Sequence, residues 1–177
     1  ALSAAHQLGY SLAQASAALG KFQGTGRRFE VLGEAEGIVV VDDYAHHPTK
    51  IRATLAAARQ RYPGRRIWAV WQPHTYSRTR LLLAEFAAAF DQADEVVVTA
   101  IYPAREPAPA DNFSAQQVVT AMHHKRAHYV PELVQTTAFL LGRLRSGDVL
   151  VVMSAGDADQ VSSHVLAALH ERSDENV

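Results

Sequence analysis

Four short clusters in this 177-residue chain hold most of the side chains capable of chemistry. The first, DDYAHHPTK (42–50), packs two carboxylates, a phenol and two imidazoles between Asp42 and His47. A carboxylate placed there could accept both hydroxyls of a ribose, and Tyr or His could stack on a base or sugar. Asp and His together also suit a metal ion, although adjacent histidines on a turn usually point apart. A plainer reading has the carboxylates complement the dipole of a helix starting at Pro48, which fits Asp42 better than Asp43. The second cluster, QPHTYSRTR (72–80), sets His74, Arg78 and Arg80 where a strand would give way to a helix. Arginine is suited to forked binding of a carboxylate or phosphate, but exposed arginines in a first helical turn are also ordinary solvated surface. The third, YPARE (102–106), is by itself an ordinary loop leading to Pro107 and Pro109. The fourth, SAGD (154–157), reads as a glycine turn feeding a helix N-terminus, either an anion contact or a simple cap.

Other chemistries are excluded or unsupported. No G-x-x-x-x-G-K-[ST] occurs, so Lys21–Arg28 (KFQGTGRR) is not a phosphate loop. No H-E-x-x-H pattern or Ser-His-Asp order stands out, and the absence of Cys removes disulfides, thiolate metal sites and cysteine nucleophiles. His123 and His124, beside Lys125 and Arg126, read as solvated surface, as do His164 and His170. Lys plus Arg number 17 against 18 Asp plus Glu, a balance that offers no global field for nucleic acid. No apolar run approaches the roughly 20 residues that span a bilayer, and the N-terminus lacks a signal-peptide pattern. The expectation is a cytoplasmic chain with neither nucleic-acid binding nor membrane insertion.

The elements that must position these clusters alternate between strand and helix. Residues 1–20 read as two Ala/Leu-rich helical segments parted at Gly9, the second capped by Ser11. Residues 21–26, with Gly24 and Gly26, read as a connector at a domain boundary, giving segments 1–26 and 27–177. Phe29–Leu32 and Ile38–Val41 suggest a hairpin around a Gly33–Gly37 turn. Then follow a helix Pro48–Arg61, with Pro at its first position, and a strand Ile67–Trp71. A helix is expected over Arg78–Phe90, where Leu82, Phe86 and Phe90 recur at helical spacing. Further along come a strand Glu95–Thr99, a helix capped by Ser114 and running to about His123, and a strand Ala127–Val130. A helix Glu132–Leu144, a strand Val149–Met153 and a helix from about Ala158 to His170 complete the pattern. This predicts an α/β, Rossmann-like fold: a mostly parallel sheet with helices on both faces and an N-terminal β-hairpin. Ligands of such sheets lie beyond the carboxyl ends of strands, and all four clusters follow apolar runs. One site on one rim is therefore expected.

Taken together, the clusters resemble the Mur ligases. FQGTGRRFEVLGE, VVVDDYAHHPTKI, WQPHTYSRTR, IYPAREP and MSAGD occur in the order and spacing of the member that adds L-alanine. The resemblance runs from residue 22 to about 169, and RRFE followed by DDYAHHPT and QPH-x-Y-x-RT is its most specific part. It implies the C-terminal, amino-acid-binding domain of a three-domain ligase, with residues 1–26 the helical end of the central ATP-binding domain plus connector. The substrates implied are UDP-N-acetylmuramate and L-alanine, joined through an acyl phosphate in peptidoglycan synthesis. ATP and Mg²⁺ are also implied, held mainly by the central domain. By the same resemblance Arg28 reaches the ATP phosphates and Asp43 the ribose, both as catalytic residues, with His46 also on the nucleotide side. Tyr44, His46, His74 and Arg78 would line the L-alanine pocket, Arg78 pairing with the carboxylate.

The chain departs from the family pattern in three places. Thr75 stands where Arg is usual, leaving Arg78, helped by Arg80, to hold the amino-acid carboxylate. MSAGD replaces the commoner Gly-Ala-Gly-Asp, and Lys50 stands where Glu is common. One alternative is a recycling ligase of the same family, which attaches an intact peptide. Others are a non-catalytic module binding nucleotide or amino acid, and a small metal hydrolase using Asp43, His46 and His47. Without a phosphate loop, the chain by itself is expected to be inactive.

Overall fold

The computed structural model describes residues 1–21 and 25–175; the Gly24 part of the expected connector lies outside the described residues. Ser11 caps α2 (Leu12–Leu19) in a capping box with Gln14, and α1 (Leu2–Gln7) precedes it across Gly9, whose φ is +87°. The sheet then begins with β1 (Glu30–Ala35) antiparallel to β2 (Ile38–Asp43). Their turn is tighter than the expected Gly33–Gly37 loop. Glu36 and Gly37, both at positive φ (51° and 73°), make a two-residue connection that matches strand twist. Gly33 instead lies inside β1 at a shift in register, where a Cβ would stand 3.1 Å from Leu166 Cδ2.

The helix α3 (Pro48–Arg61) and the strands β3 (Ile67–Trp71) and β6 (Val149–Met153) have their predicted limits. The expected helix over 78–90 is instead α4 (Tyr76–Leu81) and α5 (Leu83–Ala87), broken at Leu82. The predicted Leu82/Phe86/Phe90 side still packs inward, with Phe86 and Phe90 fully buried. The remaining elements are β4 (Glu95–Val98), α6 (Ala115–Ala121), β5 (Ala127–Tyr129), α7 (Leu133–Leu141) and α8 (Asp159–Glu175). Ser114 caps α6 as expected, and α8 runs about a turn beyond the predicted end at His170.

Strand order is β1-β2-β6-β3-β4-β5, with every pair after the hairpin parallel. Side chains alternate across the sheet and so build two cores. Val39, Val41, Ile67, Ala69, Trp71, Val149 and Val151 pack with Ile51 and Leu55 of α3 and Phe86 of α5. Ile38, Val40, Trp68, Val70, Leu150 and Val152 pack with Leu140 of α7 and Val161 and Val165 of α8. Fully covered parallel strands explain the continuous apolar runs in the sequence. They also confine polar groups to the strand ends.

Candidate ligand site at the carboxyl rim

The rim at the carboxyl end of β2 is built by two acidic residues with different surroundings. Asp42 is buried, and Arg27 Nε donates to its Oδ2 at 2.9 Å while the second Arg27 nitrogen donates to Ser154 O at 2.9 Å. Burial pushes the Asp42 carboxyl upward, with Arg27 opposing, and its Oδ1 has no partner among the described residues. This replaces the helix-dipole reading of Asp42. The cap of α3 is His47, whose Nδ1 accepts from Thr49 N at 3.4 Å.

Asp43 turns instead toward the segment before β1. Its Oδ2 accepts from Phe29 N at 2.7 Å, leaving Oδ1 for other partners. Arg27 and Phe29 have φ of 56° and 47°, sparsely populated for side-chain-bearing residues. Both are pinned: Arg27 N donates to Glu30 Oε2 (2.6 Å), Tyr44 N to Arg27 O (2.7 Å), and Phe29 N to Asp43. Arg28 lies between them, exposed, and with Phe29, Asp43, Tyr44, Lys50 and Thr54 lines a cleft of about 370 Å³. Strained backbone of this kind, held by specific bonds beside a cleft, is a common setting for ligand contacts.

Tyr44 joins this cleft to a run of rings. It meets His46 edge-on at 5.1 Å between centroids, His46 lies 6.2 Å from His74, and His74 stacks on Tyr102 at 5.5 Å with 10° between planes. His46 Nδ1 lies 2.8 Å from Tyr44 O; a carbonyl can only accept, so Nδ1 carries the proton and Nε2 is left as an acceptor in the neutral ring. Burial lowers the His46 pKa, aided by Arg78, Lys50 and His74, while the Tyr44 carbonyl opposes. His74 Nδ1 is buried without a partner among the described residues, and buried polar atoms seldom stay so. The Arg78 guanidinium donates one nitrogen to His74 O at 2.9 Å. Asp43, Tyr44, His46, His74 and Arg78 therefore gather at the ends of β2 and β3, with Arg28 across the cleft.

Two residues outside the predicted site hold this rim in place. Gln72, buried after β3, accepts at Oε1 from Ser154 Oγ (2.7 Å), Asp157 N (3.1 Å) and Ala158 N (3.2 Å) and donates from Nε2 to Asp157 Oδ1 (2.7 Å). SAGD is thus a support for the start of α8, as its capping alternative allowed. Glu106 accepts from Thr75 Oγ1 (2.6 Å), Ser77 N (2.9 Å) and Ser77 Oγ. These donors hold its carboxyl down at about 2. YPARE is therefore more than the ordinary loop its residues suggest, because the folded chain brings it beside α4. Arg80, expected to help Arg78, is engaged elsewhere: it pairs with Asp111 at 2.8 Å and covers the Phe113 ring at 4.7 Å. His124 also departs from its solvated reading, since its Nε2 donates to Ala93 O at 3.0 Å.

Among the described residues no three His, Asp or Glu side chains form a group able to hold a metal ion. His47 at the α3 cap and His46 on the Tyr44 carbonyl face different partners, so the metal-hydrolase alternative has no geometric support.

A mostly parallel sheet, a leading hairpin and this rim agree with sequence comparison: the chain belongs to the Mur ligase, glutamate ligase domain family, which it matches over residues 27–156. It is 45% identical over 163 residues to the UDP-N-acetylmuramate–L-alanine ligase of Solidesulfovibrio magneticus, covering 90% of this chain and 35% of that protein. The crystal structure of the UDP-N-acetylmuramate-alanine ligase of Thermotoga maritima superposes with a TM-score of 0.80 at 28% identity, over 97% of this chain and 36% of that one. A murein peptide ligase from Psychrobacter arcticus gives 0.71 at 26% identity, over 95% of this chain and 35% of that one. The chain thus spans about a third of the length of these relatives. Among the described residues no helix is long and apolar enough to cross a membrane.

Proposed function

We propose that this chain is the amino-acid-binding third of a cytoplasmic, ADP-forming ligase that joins L-alanine to UDP-N-acetylmuramate. The observation that carries the reading is the gathering of Tyr44, His46, His74 and Arg78 beside the Arg28–Asp43 cleft, in a chain similar to ligases of that name. Residues 1–26 are the helical end of a central ATP-binding domain and its connector. In support, α1 buries no residue, α2 buries only Ala15, and Leu2, Leu8, Tyr10, Leu12 and Leu19 are exposed. An apolar surface of that kind suits another domain of the same protein.

In this reading Asp43 Oδ1 accepts ribose hydroxyls, Arg28 neutralises phosphate charge, and Tyr44 and Phe29 wall the cleft. Mg-ATP, when bound, supplies the phosphoryl group that turns the sugar's carboxylate into an acyl phosphate. Mg²⁺ belongs to the central domain. Arg78 pairs with the L-alanine carboxylate, His46 Nε2 offers a polar contact to its head group, and the half-buried His74 ring lines the pocket. The amine must be neutral to attack, and a neutral His46 adds no positive charge near it. Before attack the task is alignment of amine and acyl carbonyl in a closed site; after it, the tetrahedral intermediate expels phosphate and nitrogen gives up a proton, leaving the amide.

The test is ADP release by the full-length ligase with UDP-N-acetylmuramate and Mg-ATP, comparing L-alanine, glycine, L-serine and a short cell-wall peptide. Preference for L-alanine is expected. Turnover with the peptide alone would move the chain to the murein peptide ligase branch, and silence with every acceptor would leave a binding module.

A further inference from the structure

The loop from Tyr102 to Glu106 grips the turn bearing His74 and Arg78 at two points. At the first, Tyr102 N donates to Pro73 O at 2.8 Å and the Tyr102 ring stacks on His74. At the second, Glu106 receives Ser77 N, Thr75 Oγ1 and Ser77 Oγ, with Tyr76 N contributing. Thr75 occupies the N-cap position of α4 but makes no side-chain cap of its own. Its hydroxyl is donated to Glu106, and the acceptor for the helix start comes from a loop about thirty residues away.

Because α4 is only six residues long, its orientation depends on its first turn, and Arg78 lies in that turn. We propose that Glu106 is a positioning residue: by capping α4 from outside, together with Thr75, it fixes Arg78 and His74 for recognition of the amino-acid carboxylate. This rests on the amino-acid-binding reading above. Glu106 does not itself touch the amino acid. It stays anionic throughout the neutral range, so the clamp does not titrate where the enzyme works. Thr75 gives its one hydroxyl proton to Glu106 and so has no side-chain donor left for a carboxylate, and the recognition of negative charge falls on Arg78.

The experiment measures KM for each of the three substrates, kcat and the thermal midpoint in the full-length ligase. The variants are Glu106→Gln, Thr75→Val and Thr75→Ser. Glu106→Gln is expected to raise the amino-acid KM about tenfold, since small misplacements of a binding group are costly. The KM values for ATP and UDP-N-acetylmuramate should stay within about twofold by the same reasoning, because their contacts lie elsewhere. Thr75→Val should shift the same constant in the same direction, and Thr75→Ser, which keeps a hydroxyl for Glu106, should restore it. If the parent enzyme uses no amino acid, the functional reading fails. If the parent is active but Glu106→Gln leaves the amino-acid KM within twofold, or raises all three KM values alike, the positioning role is overturned. Should Glu106→Gln not fold, the Thr75 pair decides the same question: an unchanged amino-acid KM in Thr75→Val overturns the role.

Discussion

Replacing Gln72 by Ala should destabilise the fold more than an ordinary polar-to-Ala change, because one amide serves four partners. The lost bonds are those from Ser154 Oγ, Asp157 N and Ala158 N to Oε1 and from Nε2 to Asp157 Oδ1. Gln72, Ser154 and Ala158 are all buried, so water cannot take its place without rearrangement. At about 1 kcal/mol net for each bond, the loss is roughly 3–4 kcal/mol. For a domain of this size that corresponds to a fall of about 10 °C in thermal midpoint. Gln72→Glu separates geometry from charge. It keeps the acceptor and the shape but sets a second carboxylate against Asp157. The new carboxyl would have a raised folded-state pKa, so its cost is present at pH 7 and shrinks as pH falls and one proton is shared. Equilibrium urea unfolding at pH 7 and pH 5 reads both effects. A loss below about 1 kcal/mol for Gln72→Ala, the value of a single bond, would refute the hub. So would a pH-independent Gln72→Glu.

Three further perturbations test the rim. Gly156→Ala would place a Cβ 2.5 Å from Gln72 Oε1 and 2.6 Å from Tyr102 Cγ, and should cost about 1–3 kcal/mol in urea unfolding through overpacking. Arg27→Ala leaves Asp42 buried without its cation and should cost about 3 kcal/mol at pH 7. Burial already holds the Asp42 pKa up, and the variant raises it further, so this deficit should lessen as pH falls and the carboxyl protonates. The His46 ring should titrate below 6.5 by NMR, and Arg78→Ala should move its midpoint upward by removing a neighbouring positive charge. On the function proposed above, the same substitution in the full-length protein should raise the L-alanine KM about 10- to 100-fold, the loss of a charged hydrogen bond.

The sheet was legible because its signals are local and repeated. Ile67–Trp71 and Val149–Met153 are buried on both faces, which makes them continuous apolar runs with clear ends. Pro48 and Ser114 announced their helices through first-turn chemistry. The clusters at the ends of β2 and β3 could be placed on one rim because parallel strands send their carboxyl ends the same way. What escaped was set by tertiary contact. The break at Leu82 interrupts a helical repeat without Gly or Pro. The turn Glu36-Gly37 was hidden by Gly33, which serves the packing of Leu166 rather than a turn. Arg80 and Arg78 are alike in sequence, and only the nearness of Asp111 tells them apart.

The supports of the rim have one physical pattern. The starts of α4 and α8 carry backbone donors that no neighbouring residue fully satisfies, and in each case a side chain distant in sequence supplies the acceptor. Glu106 reaches α4 from the loop after β4, and Gln72 reaches α8 from the end of β3. Neither bond can form until the strands are assembled, so the site residues acquire their positions together with the sheet. The Arg28–Asp43 side is held by bonds among residues 27–30 and 42–44, with Ser154 tied to both Arg27 and Asp43. The two halves meet at Tyr44, which walls the cleft on one side and touches His46 on the other. A change at Glu106 can therefore displace Arg78 and leave the Arg28–Asp43 cleft intact, which is why substrate-specific KM values, rather than overall activity, separate the two halves.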